Sequence, residues 1–80
     1  NKICLSKNLI IEDFFDLKTG LAGEILQKFI TYKFKIAIYG DFSQYTSKAL
    51  KDFIKECNKG NDIFFLDTLD NSINALTQAL

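Results

Sequence analysis

Eighty residues with ten basic and ten acidic side chains, formal net charge zero, suffice for one small domain. They show no basic cluster of the kind that tracks a nucleic-acid backbone. Histidine and tryptophan are absent, so any acid–base chemistry near neutral pH falls to carboxylates, lysine or hydroxyls. The apolar runs are only a few residues long, far below the roughly 20 that span a bilayer, and the chain is expected to be soluble and cytoplasmic, without a membrane partner.

Cys4 and Cys57 fit no metal-ligand spacing. With no signal segment beside them they read as reduced core thiols rather than a disulfide. The chain starts at Asn1 and runs straight into a strand-like segment. It is therefore expected to be the C-terminal portion of a longer domain, with residues 1–80 forming a single α/β unit.

In chain order, Lys2–Ser6 alternates Ile3 and Leu5 against Cys4 and Ser6, the pattern of a short strand. A loop from Asn8 to Asp13 follows, whose Leu9, Ile10 and Ile11 are apolar enough to predict that they tuck under another element. Asp13 or Asp16 is placed to cap a first helical turn through Phe14, Phe15 and Leu17. The main helix is predicted from about Thr19 to Thr31, because Ala22, Ile25, Leu26, Phe29 and Ile30 recur at the spacing that lines one side of a 3.6-residue helix. Gly20 and Gly23 each cost that helix about 0.5–1 kcal/mol against alanine. Either close packing on a sheet or approach of a ligand or partner to the backbone would account for them.

Phe34, Ile36 and Ile38 then share one face of a strand while Ala37 and Tyr39 share the other. Such a nearly continuous apolar run marks the central strand of a parallel sheet, buried on both faces. A loop at Gly40–Ser43 precedes a second helix capped by Thr46 or Ser47. Its stripe is Ala49, Leu50, Phe53, Ile54 and Cys57, and Gly60 stands at its C-terminal end. Ile63–Leu66 is a further apolar strand. Asp70 or Asn71 would cap a last helix through Ile73, Leu76 and Leu80.

The order βαβαβα argues for a small parallel α/β sheet in two or three layers. Right-handed crossovers between neighbouring strands put the first two helices on one face. The opposite face, with Ala37 and Tyr39, would be covered by residues preceding the chain, by the last helix, or by a second copy in a homodimer.

Parallel strands end at a common edge where ligands and partners tend to bind. That edge gathers Asp16, Lys18, Thr19 and Gly20 from the first loop, Gly40, Asp41, Phe42 and Ser43 from the second, and Asp67 with Thr68 from the third. Three carboxylates, a lysine and hydroxyls would suit Mg²⁺ or a phosphate if they converge. The same residue types also serve as helix caps and turn formers. No motif assigns a cofactor or a metal. Most of the aromatic residues are expected in the core, with Phe42 and Tyr45 available as contact area for a partner.

The run from Asp13 to Asp41, DFFDLKTGLAGEILQKFITYKFKIAIYGD, with its continuation SKALKDFIKECNKGNDIFFL, closely resembles the bacterial family catalogued as domain of unknown function 4180. The resemblance implies an additional N-terminal segment and brings no assigned activity. More loosely, Thr19-Gly20-Leu21 opening a helix after the first strand is similar to the domain shared by sulfate transporters and anti-sigma factor antagonists, the STAS domain. In those antagonists a serine or threonine just before a glycine at that helix start is phosphorylated, and Thr19 falls on that position. Here the usual aspartate-serine-serine-glycine run is replaced by Asp16-Leu17-Lys18-Thr19-Gly20. The resemblance implies a protein-interaction module that binds a partner at the edge around Lys18, Thr19, Asp41 and Ser43. The competing expectation is a small-ligand or phosphate/Mg²⁺-binding enzyme using Asp16, Asp41 and Asp67.

Overall fold

The computed structural model describes residues 2–79. Three strands, β1 (Lys2–Ser6), β2 (Lys35–Tyr39) and β3 (Ile63–Leu66), alternate with three helices, α1 (Leu21–Thr31), α2 (Lys48–Lys59) and α3 (Leu69–Gln78). Both strand pairings are parallel and the order is β1-β2-β3. β2 is central, and its Ile36, Ala37 and Ile38 are all buried, as burial on both faces requires.

Strand alternation divides the core into two layers. Ile36, Ile38, Ile63 and Phe65 face α1 and α2, meeting Ala22 and Leu26 of α1 and Leu50 of α2. Ala37 and Phe64 face the other way and meet Leu76 of α3. The last helix is thus the cover for the face that the sequence left open among three possibilities. Chain geometry explains the placement of the first two helices: crossovers of one hand between neighbouring parallel strands keep α1 and α2 on one side, and α3 packs on the other. Each fully buried Leu, Ile or Phe contributes about 1.5–3 kcal/mol, so this two-sided burial is the main stabilising contribution.

Several boundaries differ from the sequence expectation for local reasons. Instead of one helix from Thr19, the chain makes short 3-10 turns at Glu12–Phe15 and Leu17–Thr19. Gly20 then takes a left-handed conformation, φ 74°, that closes the second turn, so α1 starts only at Leu21. Gly23 is exposed, and a Cβ there would meet nothing within 4 Å, so close packing on the sheet does not explain it.

Leu9 and Ile11 do not tuck under anything: they are 75% and 65% exposed. The extended backbone at Ile10 and Ile11 sends neighbouring side chains to opposite sides, and Ile10 alone packs on the core. Ser47 caps α2, and Gly60 ends it in an extended conformation rather than the left-handed one usual for a terminal glycine. α3 begins earlier than expected. Its cap is the Thr68 hydroxyl, which accepts the Asn71 N–H at 3.1 Å, and its buried stripe is Ser72 and Leu76, with Ile73 48% exposed. Leu80, expected in that stripe, lies outside the described residues.

The end of α1 is a Schellman motif. The Phe34 N–H bonds the Phe29 carbonyl at 2.8 Å, the Lys33 N–H bonds the Ile30 carbonyl at 3.0 Å, and the Phe29 and Phe34 rings meet edge to face at 6.1 Å. Lys33 takes the left-handed position, φ 61°, where glycine is usual. Cys4 and Cys57 are free and half-buried, and they pack on opposite faces of the sheet. No helix among the described residues is long and apolar enough to cross a membrane.

Candidate functional site

The carboxyl edge of the sheet is organised by a residue that the sequence did not single out. Lys7, directly after β1, is only 7% exposed although it is a lysine. Gly40 makes this possible. A Cβ at Gly40 would stand 2.7 Å from the Lys7 Cβ, so the backbone leaving β2 lies directly against the lysine stem.

The ammonium is placed 5.1 Å from the centre of the Tyr45 ring and 5.8 Å from that of Phe15, within cation–π range of both. Glu12 Oε1 lies 3.7 Å from Lys7 Nζ, and the Tyr45 hydroxyl donates to Glu12 Oε2 at 2.9 Å. One carboxylate therefore joins the end of β1 to the loop after β2. The neighbouring Tyr45 hydroxyl, with a smaller contribution from Glu12, holds Lys7 above the ordinary lysine value.

Aromatic packing makes the rest of this corner rigid. Phe15 stacks on Tyr45 at 5.3 Å, and Phe42 lies 5.9 Å from Phe15 and 5.7 Å from Phe65. Phe42 and Tyr45, which the sequence left available to a partner, are half-buried parts of this cluster. An open cleft of about 450 Å³ lies beside it, between the turns at 12–17 and the loop at 44–47. Glu12, Asp13 and Asp16 stand along one side, and Gln44, Thr46 and Ser47 along the other.

Of the residues nominated from sequence, Asp16 lines the cleft, and its Oδ1 also accepts the Lys18 N–H at 3.1 Å. Lys18 is exposed. Thr19 is also exposed, yet its hydroxyl is fully engaged. It donates toward the carbonyls of Asp13 and Asp16, at 3.0 and 2.9 Å, and accepts the Leu21 N–H at 3.2 Å. Gly20 supplies the left-handed turn already described. Asp41 Oδ1 accepts the Ser43 N–H at 2.9 Å and a short hydrogen bond from the Ser43 hydroxyl. Asp67 accepts from the Asn71 side chain at 2.8 Å. Asp16 and Asp41 thus make the turn contacts their type ordinarily makes, while Asp67 bonds a side chain in the first turn of α3.

The Ser43 hydroxyl and amide, and more weakly Lys7, hold Asp41 below its ordinary value, which makes it a poor proton acceptor near neutral pH. Cys57 is moved the other way, by burial first and then by the nearby Glu56 charge. Among the described residues, no three His, Cys, Asp or Glu side chains gather into a group able to hold a metal ion.

Sequence reasoning missed Lys7 because nothing local separates it from the other basic residues; only its position at a strand end hints at a role. Asn58 was missed as well. Its carboxamide accepts from the Phe65 N–H at 2.7 Å and donates to the Phe65 carbonyl at 3.0 Å, along the outer edge of β3.

Comparison with curated proteins and with solved structures gives no match. The sequence model of the family described as Domain of unknown function (DUF4180) matches residues 1–76, and the chain belongs to that family.

Proposed function

We propose that this chain is a bacterial, cytoplasmic protein-interaction module, and that its docking surface is the stretch from Leu9 to Thr19 together with the facing loop 44–47. One observation carries this reading. Leu9 and Ile11, both largely exposed, directly precede an open cleft bordered by Glu12, Asp13 and Asp16. Apolar contact area beside an acidic border fits a partner segment with basic and apolar side chains. The local engagement of Asp16, Asp41 and Asp67 supports the same reading, since each bonds a residue two to four positions along the chain.

Thr19 is the regulatory position in this proposal, by likeness to the anti-sigma antagonist domains. A phosphoryl group there removes the proton that the hydroxyl donates to two carbonyls and adds about two negative charges at the helix start, beside Asp16. It would therefore remodel the turns at 12–19. Lys18, Asp41 and Ser43 flank this surface in the proposal.

The test compares partner capture by the wild-type protein, by Thr19→Glu and by the double variant Leu9→Asp/Ile11→Asp, with circular dichroism to confirm folding. Loss of the same partners in the folded double variant supports the surface. Unchanged capture by both variants overturns it. A second reading, small-ligand binding, draws on the cleft volume, which falls in the range of ligand pockets of about 300–1,000 Å³. A thermal-shift panel of nucleotides, phosphorylated metabolites and divalent cations separates the two, because a ligand at 100 times its Kd adds about 2.7 kcal/mol.

A further inference from the structure

Charge is sorted along the strand direction although the chain is neutral overall. Parallel pairing obliges α1 and α2 to carry the chain from the carboxyl edge of the sheet back to its amino edge, and α3 also starts at the carboxyl edge. The ion pairs Lys7–Glu12, Lys35–Asp62, Lys48–Asp52 and Lys59–Glu56 cancel locally.

Among the described residues, every carboxylate outside those pairs lies toward the carboxyl edge. Asp13 and Asp16 stand in the turns after β1, Asp41 follows β2 and Asp67 follows β3, while Glu24 and Asp70 sit in the first turns of α1 and α3. Lys18 and Lys51 offset them only in part. Toward the amino edge stand Lys2, Lys28, Lys33 and Lys55, with no carboxylate outside the ion pairs. Helix dipoles favour this sorting, since they stabilise acidic groups at helix starts and basic ones at helix ends.

Each end also exposes apolar side chains. At the acidic end these are Leu9 and Ile11, beside the cleft bordered by Glu12, Asp13 and Asp16. At the basic end, Ile30 is 44% and Tyr32 71% exposed, within the run Lys28-Phe29-Ile30-Thr31-Tyr32-Lys33. An apolar pocket of about 190 Å³ opens there, lined by Lys28 and Tyr32 together with Ile25, Phe29 and Phe34. The end of α1 is thus itself a segment with basic and apolar side chains, the partner chemistry that suits the acidic surface.

We infer that the partner of the acidic surface is a second copy of this chain, bound head to tail. Leu9 and Ile11 of one copy pack on the Tyr32 pocket of the next, and Asp13 and Asp16 face its Lys28 and Lys33. The inference rests on the docking surface proposed above and adds its occupant. Two copies meeting through the same end would bring like charges together, which costs binding energy. A head-to-tail contact joins two different surfaces, so copies add until a ring closes or a chain grows.

The test is sedimentation equilibrium across a concentration series at about 0.01 M and about 1 M salt, where the screening length is about 30 Å and about 3 Å. The wild-type mass is expected to rise above that of the monomer at low salt and to rise less at high salt. Two variants each reverse one end: Leu9→Lys/Asp13→Lys the acidic one, Lys28→Glu/Lys33→Glu the basic one. All four positions are exposed, and circular dichroism checks folding. Each variant alone is expected to stay monomeric, because both of its ends then carry one sign. An equimolar mixture is expected to associate, since the acidic end of one variant and the basic end of the other are intact.

A wild-type protein that stays monomeric to about 1 mM at low salt overturns the inference, because even weak specific contacts register by then. The docking surface itself survives that result if Leu9→Asp/Ile11→Asp still loses captured partners, so the two readings fail separately. Association that persists in both variants, or a mixture that stays monomeric, also overturns the head-to-tail contact. Should a variant fail to fold, wild-type association equally strong at both salt concentrations overturns it by itself.

Discussion

Replacing Gly40 by alanine tests the arrangement at the carboxyl edge directly. Two separate costs arise. The backbone at Gly40 has φ 153°, a region that side chains rarely adopt, and forcing a residue with a Cβ there costs about 1–3 kcal/mol. The added Cβ would also stand 2.7 Å from the Lys7 Cβ and 3.2 Å from its Cδ. The nearer atom is fixed to the backbone and cannot swing aside, so overpacking adds about 1–3 kcal/mol. Together they make a loss of about 2–6 kcal/mol, out of a total of roughly 4–12 kcal/mol for a chain of this length.

Urea unfolding followed by far-ultraviolet circular dichroism measures this loss. At a slope of about 1–3 kcal/mol per molar, a loss of about 3 kcal/mol lowers the midpoint by at least about 1 M. Gly23→Ala is the control with the opposite sign. It sits in open space within α1, and alanine there should add about 0.5–1 kcal/mol. A cooperative Gly40→Ala transition within about 0.5 kcal/mol of the parent would refute the close approach of this backbone to Lys7.

Ser72→Ala is expected to stabilise the protein. The Ser72 hydroxyl is fully buried on the sheet-facing side of α3 with no nitrogen or oxygen atom to bond, and the weak Cys4 thiol beside it offsets little of a burial that costs about 1–3 kcal/mol; alanine is also the better helix former. A gain of about 1 kcal/mol would raise the Tm by about 4–8 °C, and a lower Tm would mean that the hydroxyl has a partner after all. The third prediction concerns acid. The folded-state value of Asp41 lies below its unfolded one, so its contribution to stability is present above the ordinary carboxylate range and is lost as pH falls through the folded value. Ser43→Ala removes the main cause, and carbon-detected NMR should then find Asp41 titrating closer to its ordinary value. An unchanged titration would show that the Ser43 hydroxyl is not what holds it down.

The pattern of apolar residues was enough to place the three strands and three α-helices of the described residues, but not the short 3-10 turns between β1 and α1. Alternation in Lys2–Ser6, the unbroken run at Ile36–Tyr39 and the helical stripe through Ala22, Leu26 and Phe29 are each local periodicities that burial selects, and the βαβαβα order with a central second strand follows from them. Capping residues were legible to within a position or two, since Ser47 and Asp16 act where short polar side chains act. The family, too, was readable from the run between Asp13 and Asp41.

What lay beyond the sequence depends on contacts between distant residues. Whether α3 or something else covers Ala37 and Phe64 is decided by the direction in which the chain leaves β3, and no local pattern encodes that direction. The burial of Lys7 depends on Gly40 and Tyr45 from the loop after β2 and on Glu12 from the turns after β1. Asn58 looks like one more polar residue on the wet side of α2 until β3 is laid beside it. Periodicity reports only which side of an element is buried. Which atoms that side meets is fixed by packing the elements together, and the carboxyl edge around Lys7 arises only there.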